Sequence, residues 1–289
     1  MKIWICIPVF NRKELTLKCL ASLQSQSFDN FTVIVCDHGS SDGTGEAIAQ
    51  QFPEVVVVEA DSSLWWTGAI NRSIAYALAH AAADDTVLTM NNDNEVPPDY
   101  LQNLADNARK YPGAIITSVV YDIKTRELVS PGYRQNWLLA KAYPVDFASD
   151  HLANDTNTVE VTHASGRGTL FPIRVFSQLG LFDERHLPHY AADYDFAFKA
   201  ARAGYKIYAC LDCQVFSYVE ETGMVKVLNK LSWRSFIDYF TSIRSPANLR
   251  ARWWYGWNNC PKSILPIYFG FDFIRISGGY FKQFFKRSN

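Results

Sequence analysis

Val87-Leu88-Thr89-Met90-Asn91-Asn92-Asp93-Asn94-Glu95-Val96-Pro97-Pro98 is an apolar run that ends abruptly in three carboxamides and two carboxylates. The pattern is that of a buried strand delivering polar side chains to a sheet edge. In an open α/β sheet the carboxyl ends of the strands are where ligands sit. Carboxamides and carboxylates placed there suit a phosphate, a sugar or a metal ion. Pro97 and Pro98 are expected to start the next helix. A turn rich in Asn and Asp would read the same way in isolation, so the neighbouring stretches decide.

Upstream, the alternation of apolar run and polar turn repeats. Trp4 to Val9 is a continuous apolar strand, and a helix from Asn11 to Gln24 places Leu15, Cys19 and Leu23 on one face. Phe31 to Cys36 is again apolar and runs into Asp37-His38-Gly39-Ser40-Ser41-Asp42-Gly43-Thr44, with a helix to about Gln51 behind it. Val55 to Val58 reads as a third strand. Ile70, Ile74, Ala77 and Leu78 mark the buried face of a third helix, and Thr86 to Met90 is the fourth strand. Strands apolar on both faces that alternate with helices form a parallel sheet covered on both sides. The polar loops after strands one, two and four then share one edge, where a nucleotide-type site belongs. Asp37 is placed to accept hydrogen bonds from a base or ribose, and Gly39 lets backbone approach a ligand closely. Neither GxGxxG nor a P-loop glycine-lysine motif occurs, which argues against a dinucleotide Rossmann site and against a P-loop.

Beyond residue 113 the pattern changes. Ala114 to Val120, Val159 to Thr162 and Thr169 to Pro172 read as short strands around a long polar loop that includes Pro144 to Asn157, so this half is expected to be mixed and partly antiparallel. A short helix near Arg174 to Leu179 leads to Phe182-Asp183-Glu184. His189-Tyr190-Ala191-Ala192-Asp193-Tyr194-Asp195 opens a helix that closes at Gly204. Asp193 falls near that helix's N-cap, a place where a capping aspartate needs no chemical role. Trp65 and Trp66, adjacent in sequence, cannot both enter one core. One is expected against solvent, a sugar or a base, unless the pair packs between helix and sheet.

At 289 residues the chain can bury one large α/β core, alone or with a smaller appendage. Its charge is unevenly placed: residues 222–289 carry 11 Lys or Arg against two Asp, a net of +9, which leaves −10 for residues 1–221. The same tail holds 16 of the 42 aromatic residues, so its expected partner is an anionic surface. The chain opens directly in a strand, without the pattern of a signal peptide. No window reaches the length of uninterrupted apolar sequence that a spanning helix needs. A cytoplasmic protein is expected. Cys6, Cys19 and Cys36 read as core thiols. Cys210 and Cys213 have CxxC spacing but no second pair nearby, which argues against a zinc or redox site.

Together these pieces resemble the family 2 inverting glycosyltransferases with the GT-A fold, over about residues 2–218. Ile7-Pro8-Val9-Phe10-Asn11-Arg12 is similar to the family's opening strand and turn, and Cys36 to Thr44 to its nucleotide loop. Asn91-Asn92-Asp93 stands at the family's Asp-x-Asp, and Ala192-Asp193 at its frequent Glu-Asp. The resemblance implies an α/β GT-A fold with a mixed, mainly parallel sheet plus a C-terminal helical extension. The implied division is a catalytic domain over 1–221, with a nucleotide-binding half (1–112) and an acceptor half (113–221), and a basic, aromatic helical tail over 222–289.

The family's roles carry over by position. Pro8, Phe10, Asn11, Asp37, Gly39, Trp66, Asn91 and Asn92 would receive the nucleotide-sugar donor, and Asp93 would hold a divalent cation, Mn2+ or Mg2+, on its diphosphate. Asp193 would be the general base on the acceptor hydroxyl, helped into its ionised form by the helix terminus. Arg167, within Ser165-Gly166-Arg167-Gly168-Thr169, and His189 with Tyr190 would face the acceptor. Four positions depart from the family: Asn91 replaces the first Asp of Asp-x-Asp, His38 a frequent second Asp after strand two, Ala192 an acid beside the base, and Ser217 a His that often ligates metal.

The implied activity is transfer of a hexosyl or deoxyhexosyl group to a cell-surface polysaccharide or lipid-linked glycan, in a branch resembling rhamnosyltransferases. The missing acids keep open a non-catalytic nucleotide-sugar-binding scaffold, and the parallel sheet a nucleotidyltransferase. The tail reads as helices from Leu231 to Phe240, Leu249 to Trp257 and Ile264 to Phe285. Its aromatics beside Lys and Arg suggest peripheral contact with anionic lipid at the inner face of the membrane. Packing on the catalytic domain or a homodimer contact would use the same residues. Nucleic acid is not expected, because the acidic body would repel it.

Overall fold

The computed structural model describes residues 1–221 and 233–287. The N-terminal half alternates strand and helix: β1 (Ile3–Val9), α1 (Lys13–Gln24), β2 (Phe31–Asp37), α2 (Thr44–Gln51), β3 (Val56–Glu59), α3 (Trp66–His80) and β4 (Thr86–Thr89). A two-residue strand, β5 (Asn94–Glu95), and α4 (Tyr100–Lys110) follow. The helix starts two residues after Pro98, because the proline pair leads into a turn capped at Asp99. The second half contains β6 (Ile115–Asp122), β7 (Leu128–Ser130), β8 (Tyr133–Asn136), β9 (Lys141–Pro144), α5 (Phe147–Asp150), β10 (Thr158–Glu160) and β11 (Thr169–Pro172). Then come α6 (Ile173–Leu179), α7 (Ala192–Arg202) and β12 (Ile207–Ser217), and after them α8 (Trp233–Thr241), α9 (Leu249–Asn259) and α10 (Leu265–Arg287).

The sheet runs in the order β10-β12-β6-β11-β4-β1-β2-β3. β1, β2, β3 and β4 pair in parallel, as do β6 and β12, while β11 lies antiparallel between β4 and β6. The expected mixed, mainly parallel sheet is therefore present. Two antiparallel steps restore direction, so β4, β6 and β12 all end on the same edge as β1 and β2.

Alternation along the strands builds a core on each face. Ile3, Ile5, Ile7 and Val9 of β1, with Val33 and Val35 of β2, pack with Leu20 and Leu23 of α1 and with Leu101 and Leu104 of α4. Trp4, Cys6 and Ile34 point the other way, onto Ile70 and Ile74 of α3 and Phe176 and Phe196 of α6 and α7. Each fully buried aliphatic contributes about 1.5–3 kcal/mol relative to exposure. β1, buried at all seven positions, thus contributes to both cores along its whole length.

The long polar loop expected around Pro144 is more ordered than its composition suggests. β8 and β9 form a hairpin before it, and Asp146 caps α5 by accepting from the Ala148 amide at 3.0 Å. The three tail helices lie close to their expected bounds, and the proposed boundary at residue 221 meets residues outside the described range. α9 packs on α7: Asn258 and Asn259 donate to Asp195 Oδ1 at 3.1 and 2.6 Å, and Arg202 donates to Asn259 Oδ1 at 2.8 Å. Arg252 of α9 and Arg275 both pair with buried Asp272 of α10. Among the described residues no helix is long and apolar enough to cross a membrane.

Candidate active site

The loop after β1 makes the first wall. Asn11 and Arg12 are consecutive non-glycine residues at positive φ, 57° and 63°. Such a pair costs roughly 1–2 kcal/mol per residue and persists only where the surroundings hold it. Ser40 Oγ accepts from the Asn11 amide at 2.7 Å, and Asn11 Oδ1 accepts from the Ser41 amide at 2.9 Å. The turn directs Arg12 Nη1 to Asp93 Oδ2 at 3.2 Å. Pro8 lies in β1 beside Cys36, and Phe10, 40% exposed, stacks on His38 with centroids 5.1 Å apart. Asp37 ends β2 and accepts from the Ser40 amide at 2.9 Å, while Gly39 turns at φ 95°.

The polar run after β4 divides into two roles. Asn91 Oδ1 accepts from Trp66 Nε1 at 2.8 Å, whereas buried Asn92 donates to Thr16 Oγ1 at 2.9 Å and so anchors α1. Asp93 is buried, and its carboxyl is pushed above the usual carboxylate range by desolvation, with Arg167 and Arg12 opposing. Its Oδ1 accepts no hydrogen bond. The side chain of Asn94 and Ser217 Oγ are likewise buried and unpaired, and these two residues face each other across β5 and β12. Tyr218 donates its amide to the Asp93 carbonyl at 3.1 Å, which brings the end of β12 against Asp93. Buried polar groups are normally satisfied. Among the described residues, six of the seven unpaired buried side-chain atoms, all but Ser73 Oγ, belong to His38, Asp93, Asn94, His189 and Ser217.

Asp193 is the second residue of α7, and the N-cap is Ala191, itself at φ 69°. The expected capping place therefore belongs to its neighbour. Asp193 Oδ2 accepts from the Gly166 amide at 2.7 Å and Oδ1 from the Tyr194 amide at 2.9 Å. Burial raises its carboxyl above the ordinary range, and the two amides and Arg167 act against that rise. The helix terminus was expected to favour ionisation, yet desolvation is the larger effect. Gly166 is needed because a Cβ there would meet the Trp66 ring at 2.4 Å. Trp66 is thus a packing residue under the loop that holds Asp193. Trp65 turns to the cleft, edge-on to His189 at 5.6 Å.

Arg167 lies within electrostatic reach of Asp93, Asp193 and Tyr190 alike. His189 sits 4.6 Å from the Tyr190 ring and is pushed down to about 4, by burial first and then by the charges of Arg244 and Arg12. It is neutral at pH 7. Arg12 and Arg244 complete the site, and the sequence reading missed both as site residues. Arg12 gains its place only from the left-handed turn. Arg244 arrives from the tail, with its guanidinium 5.6 Å over the Trp65 ring.

The donors around Asp93 are all oxygen, apart from one amide nitrogen. That set would suit a hard divalent cation, with the unpaired Oδ1 of Asp93 as its first ligand while Arg12 keeps Oδ2. A second cluster, Cys210, Asp212 and Cys213, brings ligand atoms within 4.8 Å of one another. It lies at a bulge in β12 away from this edge, its thiols belong to the core, and both Asp212 oxygens accept from Asn107.

The sequence matches the family model for Glycosyl transferase family 2 over residues 4–177. An N-acetylglucosaminyl-diphospho-decaprenol L-rhamnosyltransferase of Mycobacterium tuberculosis is 28% identical over 207 residues, 64% of this chain and 66% of that protein. The pneumococcal glycosyltransferase GlyA is 24% identical over 192 residues, which is 25% of its length. Among solved structures, GalNAc-T7 with UDP, GalNAc and Mn2+ superposes with a TM-score of 0.62 at 16% identity, over 83% of this chain and 49% of that one. Residues 1–349 of TarS from S. aureus superpose with a TM-score of 0.55 at 16% identity, over 96% and 81%.

Proposed function

The chain belongs to glycosyl transferase family 2, and on that premise we propose that it is an inverting transferase moving a sugar from a nucleotide diphosphate donor to a lipid-linked glycan of the cell surface. One observation carries this reading. Asp37, the half-free carboxylate of Asp93 and the amide-held carboxylate of Asp193 converge on one sheet edge, with Arg167 in the field of the last two. The name of the mycobacterial relative supports the lipid-linked acceptor and a deoxyhexosyl donor.

In this reading Pro8, Phe10, Asn11, Asp37 and Gly39 form the nucleoside side, with exposed Phe10, stacked on His38, available to a base. Asp93 holds a divalent cation, with Ser217 and Asn94 nearby as further oxygens. Such a cation would offset the charge that develops on the departing diphosphate. Arg12 and Arg167 add fixed positive charge to the same space. Asp193 accepts the proton of the acceptor hydroxyl as the new glycosidic bond forms. Its raised pKa makes its ionised form a stronger base than an exposed aspartate. Trp65, Arg167, His189 and Tyr190 form the acceptor side, and the neutral imidazole of His189 can donate or accept a hydrogen bond there.

The test is a panel of nucleotide sugars with Mn2+ and a bacterial lipid extract. Release of free nucleoside diphosphate together with a glycosylated lipid is the expected result. Tight donor binding without release would favour the scaffold reading, and pyrophosphate from a nucleoside triphosphate would favour a nucleotidyltransferase.

A further inference from the structure

The three C-terminal helices leave a large apolar surface bare. Ile237 and Ile243, Leu249, Trp253 and Trp257, and Ile267, Phe271, Phe273, Ile274 and Phe281 are all exposed, and they make up ten of the sixteen large exposed apolar side chains among the described residues. On α9 they recur every four residues. On α10, Ile267, Phe271, Ile274 and Phe281 are spaced four, three and seven apart, one stripe along the helix. Ring contacts join the stripes: Trp253 stacks on Phe269 at 4.7 Å and on Trp257 at 5.9 Å, and Phe273 on Phe240 of α8 at 6.0 Å. A patch of this kind on a protein surface marks a partner.

We propose that this face docks on an anionic lipid surface, and that the protein works with its acceptor-side wall held at the headgroups. Charge selects lipid over a second copy of the chain. Arg234, Arg244, Arg250 and Lys262 are exposed on the same helices and their links, and Lys262 Nζ lies 4.0 Å over the Trp257 ring of the α9 stripe. Of the two tail acids, Asp272 is buried and already paired with Arg252 and Arg275, which leaves Asp238 of α8 exposed against four exposed cations. A two-fold contact through this face would set arginines against arginines, whereas indole rings with flanking cations match an anionic headgroup layer. No helix among the described residues is long and apolar enough to insert across it.

The same helices are fastened to the acceptor side of the cleft. Trp254 packs on His186 with ring centroids 3.8 Å apart, and Arg250 donates to the Arg185 carbonyl at 3.4 Å. The segment linking α8 and α9 bears exposed Ile243 and also Arg244, which stands over Trp65. Docking would therefore bring a lipid-linked phosphate to Arg244 without leaving the surface. This purpose rests on the transfer proposed above, but the docking itself does not.

Flotation of the full-length protein with phosphatidylcholine vesicles, and with vesicles that also contain phosphatidylglycerol, tests the proposal. Recovery with the anionic vesicles only, falling at high salt, is expected. Phe271→Glu combined with Ile274→Glu should lower recovery by about tenfold or more, because both side chains are exposed and lose their apolar burial in lipid. Retained nucleotide diphosphate binding by this variant shows that it is folded, and reports on the donor site independently of the platform. Equal recovery with both vesicle types overturns the charge argument. No recovery, or a dimer that the double substitution dissociates, overturns the lipid assignment in favour of a protein contact.

Discussion

Asp93 shows how the site holds a group at odds with its own stability. Its carboxylate is buried with one oxygen on Arg12 and the other unpaired, and desolvation penalises its charge. Replacement by Asn keeps the shape and removes that penalty. We expect Asp93→Asn to leave thermal stability unchanged or to raise it by on the order of 1 kcal/mol, and to abolish any Mn2+ dependence of nucleotide diphosphate binding. Thermal unfolding reads the first and calorimetric titration with and without Mn2+ the second; loss of stability with metal dependence intact would remove Asp93 from the site. At this scale the sequence pointed to the carboxylates and, among the arginines of the cleft, to Arg167 alone. Asp93 and Asp193 were singled out through the family resemblance, because an acid in an Asn-rich turn or in the first turn of a helix has an ordinary structural use as well. Arg12 and Arg244 were not, since one depends on two positive φ angles and the other on a tail folding back.

Elements were read more reliably than their ends. β1, β2 and β4 announce themselves as runs apolar on both faces, and α1 and α3 by helical period. Antiparallel β11 was legible only as a strand, because nothing in Thr169 to Pro172 states that it slots between β4 and β6. The β8–β9 hairpin was hidden by polar composition. One buried group between these elements makes a pH prediction. His163 lies under α7, with ring centroids 4.9 Å from Tyr194 and 5.0 Å from Phe198, and burial pushes it down to about 4. A histidine depressed in the fold binds its proton more readily in the unfolded chain. Its stabilising contribution is complete above about pH 6.5 and is lost as the pH falls towards 4. Buried Asp93, Asp193 and Asp195 act in the opposite sense, so the contrast with a variant is the informative quantity. Denaturant unfolding at pH 7 and pH 5 should show His163→Phe losing less stability than the wild type, by on the order of 1–2 kcal/mol. An identical loss in both would mean that His163 is not held neutral.

Over the whole molecule, an acidic α/β body and a basic helical tail meet where α9 packs on α7. The charge asymmetry and the aromatic content of the tail were plain in the sequence. That α9 would grip α7 through Asn258, Asn259 and Asp195 was not, because such a contact depends on pairing between segments over sixty residues apart. α7 also carries Asp193, so the tail steadies the helix on which the proposed chemistry depends. That chemistry is tested most directly by Asp193→Asn, a nearly isosteric change that removes the proton acceptor. Transfer to lipid acceptor and binding of the donor nucleotide should be measured on the same folded variant. Transfer is expected to fall by on the order of a hundredfold or more while donor binding stays within a few fold of the wild type. Near-normal transfer by that variant would contradict the assignment of Asp193 as the base.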